Sequence, residues 1–138
     1  MTRFYDIDQA NARLLDLAPV LRKLKADRDA IAAAQRELAT YRQTNGNAHH
    51  ADELKAQEGR IGEMVFRMER AVAQIVDWDV TLRDIETGLV DFPALVNGRQ
   101  VCLCWRLGEA DVAWWHELDS GFAGRKPLSD LPGTNRPS

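Results

Sequence analysis

The chain has 138 residues, with 18 Lys+Arg against 21 Asp+Glu, a formal net charge of −3, and 45% hydrophobic residues. That balance fits one globular domain large enough to bury a core unaided. It excludes a membrane-spanning helix, for which no apolar run is long enough. It also argues against nucleic-acid binding, which leaves a basic footprint.

Charge divides the chain. Residues 1–77 hold twelve basic and twelve acidic side chains, so the whole excess of acid lies in residues 78–138, together with all four Trp. The neutral first part is rich in Ala, Leu, Arg, Glu and Gln, a helix-forming composition, whereas the aromatic second part suits strands. Residues 1–6 lack the basic-then-apolar order of a secretory signal. Only two cysteines occur, in Cys102-Leu103-Cys104, which is no disulfide framework. The expected location is therefore the reducing cytoplasm.

In the first part, Leu14, Leu17, Leu21, Leu24, Ile31 and Leu38 follow the spacing of a heptad seam, with Arg28 and Gln35 at the skipped positions. Asp8 is placed to cap this helix. Thr44-Asn45-Gly46-Asn47 makes a turn, and a second series follows: Leu54, Ile61, Val65, Met68, Val72 and Ile75. Asp52-Glu53 suits its first turn. Two helices folded back on each other are predicted, about 40–50 Å long at 1.5 Å per residue. This sets Leu17 near Ile75 and Leu24 near Met68, with Gly59 and Gly62 allowing close approach opposite Ile31.

Beyond Asp79 the apolar period becomes two. Residues 80–85 form either a first strand or the end of the second helix. Residues 89–96 and 99–106 are strands joined by Asn97-Gly98, a type I′ hairpin signal. Pro93 marks an edge or a bulge. A two-residue turn at Gly108-Glu109 leads into a strand over 110–117. The hairpin register pairs Val90 with Trp105, Phe92 with Leu103 and Ala94 with Val101 on the core face, and Asp91 with Cys104 on the other. With that turn His116 falls on the apolar face; a three-residue turn instead puts it beside Cys102 and Cys104. Trp114-Trp115 sends one indole to each face. The predicted fold class is α+β: a long antiparallel two-helix hairpin (residues 1–78), a three- to four-stranded β-meander with a closing Gly/Arg loop (79–127), and a flexible tail (128–138).

The run Gly88-Leu89-Val90-Asp91-Phe92-Pro93, followed by Leu103-Cys104-Trp105-Arg106-Leu107-Gly108-Glu109, Trp115-His116-Glu117 and Gly121-Phe122-Ala123-Gly124-Arg125, resembles the bacterial domain-of-unknown-function family 2203. The resemblance covers nearly the whole chain, an opening segment over residues 5–15 included. It implies no particular activity, but it marks Asp91, Cys104, Trp105, Arg106, Gly108, Glu109, His116, Gly121, Gly124 and Arg125 as matching the signature.

Three kinds of site compete with purely structural roles for these residues. Cys102, Cys104 and His116 offer thiolate and imidazole ligands of the type zinc takes, with Asp91 or Glu117 to complete the set. Cys104 with His116 as base has the residue types of a thiol nucleophile. Arg106 and Arg125 beside the glycine-rich loop suit an anion; against this, Arg106 pairs with Asp111 or Asp91, and Arg125 with Glu109. His49 and His50 at the hairpin tip are a weaker chelating pair. The expected function is a non-enzymatic protein-interaction module that uses its helical hairpin, by self-association as a homodimer or with a protein partner. No cofactor, membrane or nucleic acid is expected. The alternative is a small metal- or anion-binding protein or thiol-dependent enzyme built on Asp91, Cys104, Arg106 and His116, with Glu109 and Arg125 at its margin and zinc as its ion.

Overall fold

The computed structural model describes residues 2–43 and 48–131. Helix α1 (Ile7–Arg42) starts after Asp6: its carboxylate accepts the Gln9 N–H at 2.7 Å, and the Gln9 side chain accepts the Asp6 N–H at 2.9 Å. This reciprocal pair closes two open donors of the first turn. The cap is therefore Asp6, and Asp8 sits inside the first turn, where its charge still favours the helix dipole. Pro19 lies within α1, a residue the heptad pattern takes no account of; the ring removes one N–H from the ladder. Helix α2 (Ala48–Asp77) begins before Asp52-Glu53 and returns along α1. The expected tip turn over residues 44–47, and the side chain of His49, lie outside the described residues. His50 stacks on Tyr41, with ring centroids 4.1 Å apart.

The seam holds with one shift. Leu14, Leu17, Leu21, Leu24, Ile31 and Leu38 are buried, as the heptads predict. On α2 the covered line is Leu54, Gln57, Ile61, Met64, Met68, Ala71 and Ile75, an unbroken 3-4 alternation, and Val65 and Val72 stand to one side, over a third exposed. Gly59 and Gly62 do not meet Ile31 closely; a Cβ at either would find nothing within 4 Å. Asp27, rather than its neighbour Arg28, is buried in the hairpin, between Lys23 at 3.3 Å and Arg67 at 3.5 Å. Arg28 reaches out to Asp29 and Glu86.

After Asp79, which takes a left-handed φ of 59°, the chain enters a meander of five antiparallel strands in sequence order: β1 (Thr81–Asp84), β2 (Leu89–Val96), β3 (Arg99–Arg106), β4 (Trp114–His116) and β5 (Lys126–Pro127). Residues 81–84 are thus strand and not helix end, and the sheet has one strand more than expected. The β2–β3 register is the predicted one throughout. β1 pairs only as far as Asp91, so Pro93 beyond it lies on a local edge, where its carbonyl accepts the Tyr5 N–H at 2.8 Å. Tyr5 also donates its hydroxyl to the Trp78 carbonyl at 2.6 Å and meets the Phe92 ring edge-on, which stitches the start of the chain to the sheet.

One sheet face, carrying Val90, Phe92, Ala94, Val101, Leu103, Trp105 and Trp115, shares a core with Leu14, Leu17, Leu21, Leu24 and Ile75 of the hairpin base. Residues 128–131 differ from the expected loose tail: a 3-10 turn forms at Leu128–Asp130 and Leu131 is buried in the same core. No described helix is long and apolar enough to cross a membrane.

Candidate functional site

The second face of the sheet carries the polar cluster. The connection before β4 decides what it contains. Gly108 takes φ 102°, Glu109 N–H bonds back to the Arg106 carbonyl at 3.0 Å, and the Glu109 carboxylate accepts the Arg106 N–H at 2.7 Å. Val112 N–H donates to Asn11 Oδ1 of α1 at 2.8 Å, so residues 110–113 are drawn away from the sheet and the strand expected over 110–117 shrinks to three residues. Cys102 then pairs with His116, Leu103 with Trp115 and Cys104 with Trp114. The register differs by one residue from that of a two-residue turn, which turns His116 onto the face of Cys102 and Cys104. Trp114 and Trp115 take opposite faces, as their adjacency requires.

On this face Asp91 of β2 lies directly across from Cys104 of β3, and His116 of β4 reaches diagonally over β3 to Asp91. His116 Nε2 is 2.8 Å from Asp91 Oδ1, and Nδ1–H donates to the Glu117 carbonyl at 2.6 Å. Asp91 is 3% exposed, His116 1% and Cys104 0%. The Cys104 sulfur, an Asp91 oxygen and a His116 nitrogen all lie within 4.8 Å of one another. Cys102 is buried on the same face but is not one of that group; it lies beside Arg83.

Arg83 is the residue sequence reading missed. A bulge in β1, where Leu82 pairs with Val90 but Asp84 with Leu89, leaves Arg83 as the extra residue and aims its side chain at Asp91. Its Nε–H donates to Asp91 Oδ2 at 2.7 Å. The buried carboxylate thus has a different partner on each oxygen, which is how a charge survives burial. The only sequence signal for this is that residues 81 and 83 alternate with the apolar Leu82; the bulge itself has none.

The loop between β4 and β5 closes over the remainder. It turns at Gly121 (φ 62°), and Gly124 passes so close to Ser120 that a Cβ there would lie 2.5 Å from the serine side chain. This brings Arg125 over the Trp114 and Phe122 rings, with its carbon Cζ 5.1 and 4.7 Å from their centroids, and within 2.7 Å of Glu109 Oε1. Arg125 therefore makes the pair with Glu109 that its structural role predicts. Arg106 makes neither of its expected pairs and instead lies over Phe122 at 5.4 Å. Both arginines thus lie over the same Phe122 ring.

Electrostatics follow from burial. Desolvation, aided by the Asp91 carboxylate, pushes both Cys102 and Cys104 up to about 11, against the pull of Arg83 and Arg125. At neutral pH such a thiol is ionised in about one molecule in ten thousand, the opposite of an activated nucleophile. Burial alone would raise Glu109, but the Arg125 guanidinium and the Arg106 N–H outweigh it and hold the carboxyl below its usual range.

Fold and site together define an α+β protein in which a two-helix hairpin packs on an antiparallel meander with a sealed Asp-Cys-His cluster on its second face. The chain belongs to the DUF2203 family of uncharacterized conserved proteins, whose model matches residues 3–128. No curated protein and no solved structure matches it significantly.

Proposed function

We propose that this protein is an interaction module that docks through the outward face of α2, with a second copy of the chain as its partner. The reading rests on one observation: apolar side chains of α2 stand outside the hairpin seam. Val65, Val72 and Val76 recur at helical spacing along one line, Phe66 lies beside them at 59% exposure, and Val76 is 63% exposed. The line runs into an open groove of about 880 Å³ between α2 and β1, whose walls include Val72, Val76 and Ile85. Above it the open Gly62 leaves room for another backbone to approach. Glu69 lies between Val76 and Phe66 around the helix and Arg70 sits over the Phe66 ring at 6.0 Å, so two such faces laid antiparallel present both charge signs to each other.

Sedimentation velocity over a range of micromolar concentrations tests this. A concentration-dependent dimer is expected, reverting to monomer in Phe66→Ser/Val76→Asp with unchanged circular dichroism. A wild-type protein that stays monomeric throughout overturns the proposal, as does a dimer indifferent to the double substitution.

A further inference from the structure

We propose that Asp91, Cys104 and His116 form a three-ligand site for a divalent transition-metal ion of the zinc type. The inference concerns the second face of the sheet and does not rest on the α2 stripe. The three side chains present a carboxylate oxygen, a thiol sulfur and an imidazole nitrogen within 4.8 Å of one another, a mixed O, S, N set suited to a borderline-soft cation.

The outer contacts are those that ligands of a metal need. The Glu117 carbonyl takes the Nδ1–H of His116, which leaves the lone pair of Nε2 aimed into the cluster. Arg83 occupies Oδ2 of Asp91, so the oxygen that meets His116 Nε2 within the cluster is Oδ1. Arg125, whose charge Glu109 balances at 2.7 Å, flanks the Cys104 sulfur. Glu109 thus offsets the charge of Arg125, while Arg83 stays on Oδ2 and off the ligating oxygen.

The separation of 2.8 Å between Nε2 and Oδ1 is that of one shared proton. Ligation at about 2.0 Å from each atom in tetrahedral geometry asks for roughly 3.3 Å, an opening of about half an ångström. Binding replaces the proton between His116 and Asp91 and the proton of the Cys104 thiol by one M²⁺. Three coordinate bonds form, two protons pass to solvent, and the net charge of the buried cluster does not change. That neutrality matters in a site sealed from water, where an added charge is costly. Cys102, outside the group and beside Arg83, takes no part.

Cobalt(II) titration of untagged, reduced protein is the test, because a thiolate-to-cobalt charge-transfer band reports sulfur ligation and is blind to histidines elsewhere on the chain. One ion per chain is expected, with a near-ultraviolet charge-transfer band, visible d–d bands, displacement by zinc, and release of two protons in weakly buffered solution. Cys102→Ser keeps the band; Cys104→Ser, an isosteric change checked for folding by circular dichroism, abolishes it. The wild-type titration stands alone should a variant fail to fold: absence of the charge-transfer band at stoichiometric cobalt overturns the site. Persistence of the band in folded Cys104→Ser, or its loss in folded Cys102→Ser, overturns the ligand assignment.

Discussion

Asp91 and His116 meet at 2.8 Å across an intervening strand, and both are almost fully shut off from solvent. Strand β3 between them contributes only thiols to this face at that level, so the pair closes over Cys102 and Cys104 like a bridge. With Arg83 on the other carboxylate oxygen, the arrangement ties β1, β2 and β4 together through side chains alone.

Removing the carboxylate dismantles this tie. Asp91→Ala leaves His116 and Arg83 without their acceptor in a buried setting, and a loss of about 3–5 kcal/mol is expected. Urea denaturation of the metal-free protein reads it. A change below about 1 kcal/mol is what a surface pair gives and would contradict this role.

Alkaline stability depends on the thiols. Each rises from 9.0 to about 11 on folding, so the folded chain binds the proton more tightly. Their contribution is complete below pH 9 and is lost as pH rises from 9 to 11, about 2–3 kcal/mol for each thiol. Cys102→Ser/Cys104→Ser removes that slope, and denaturation midpoints of both proteins across this range show the difference.

The Arg125–Glu109 pair acts at the other end of the scale. Glu109 is held below the ordinary glutamate value of 4.5, so its contribution is present above that value and fades as pH falls through the folded one. Arg125→Lys keeps the charge but loses the planar stack on Trp114 and Phe122. Its expected cost of about 1–2 kcal/mol at neutral pH, with a smaller acid-side slope, is measurable by thermal melts at pH 7 and pH 4.

Glycine positions separate steric from conformational demands. Gly88 has φ 67° and a Cβ there would lie 2.5 Å from Cβ of Leu107, whereas Gly98 at φ 79° has open space around it. Gly98→Ala is expected to cost about 1–2 kcal/mol, the conformational term alone, and Gly88→Ala appreciably more. Equal losses in urea titrations would remove the steric argument.

On α2 the same substitution has the opposite sign. Gly59 and Gly62 are exposed in mid-helix with nothing near their Cβ positions. In the monomer, Gly59→Ala and Gly62→Ala each stabilise by about 1 kcal/mol. Thermal melts at low concentration check this, and a loss of stability there would mean that the space is already used.

How far the sequence carries can be read from Val72, His116 and Arg83. The heptads located both helices, because a 3-4 repeat of apolar residues has one way to hide. They misassigned Val65 and Val72 because two apolar lines lie side by side on α2, and spacing alone does not say which faces α1. The Asn97-Gly98 turn fixed the pairing of Asp91 with Cys104, because a two-residue turn permits one register. His116 was legible only as a choice between faces: Asn11, about a hundred residues away, captures the Val112 N–H and settles it. Arg83 was not legible, since a bulge is a mismatch between two strands and exists in neither alone.

Leu131 is buried against a core that also holds Tyr5 and Leu14, so residues near both ends of the described chain are needed to seal one interior. During synthesis the two helices emerge from the ribosome long before that closing leucine. For that interval the lower halves of α1 and α2 display, to the crowded surroundings of the exit port, the leucines that the sheet will later cover. Until Leu131 arrives, the leucines at the base of the nascent hairpin lack part of their cover.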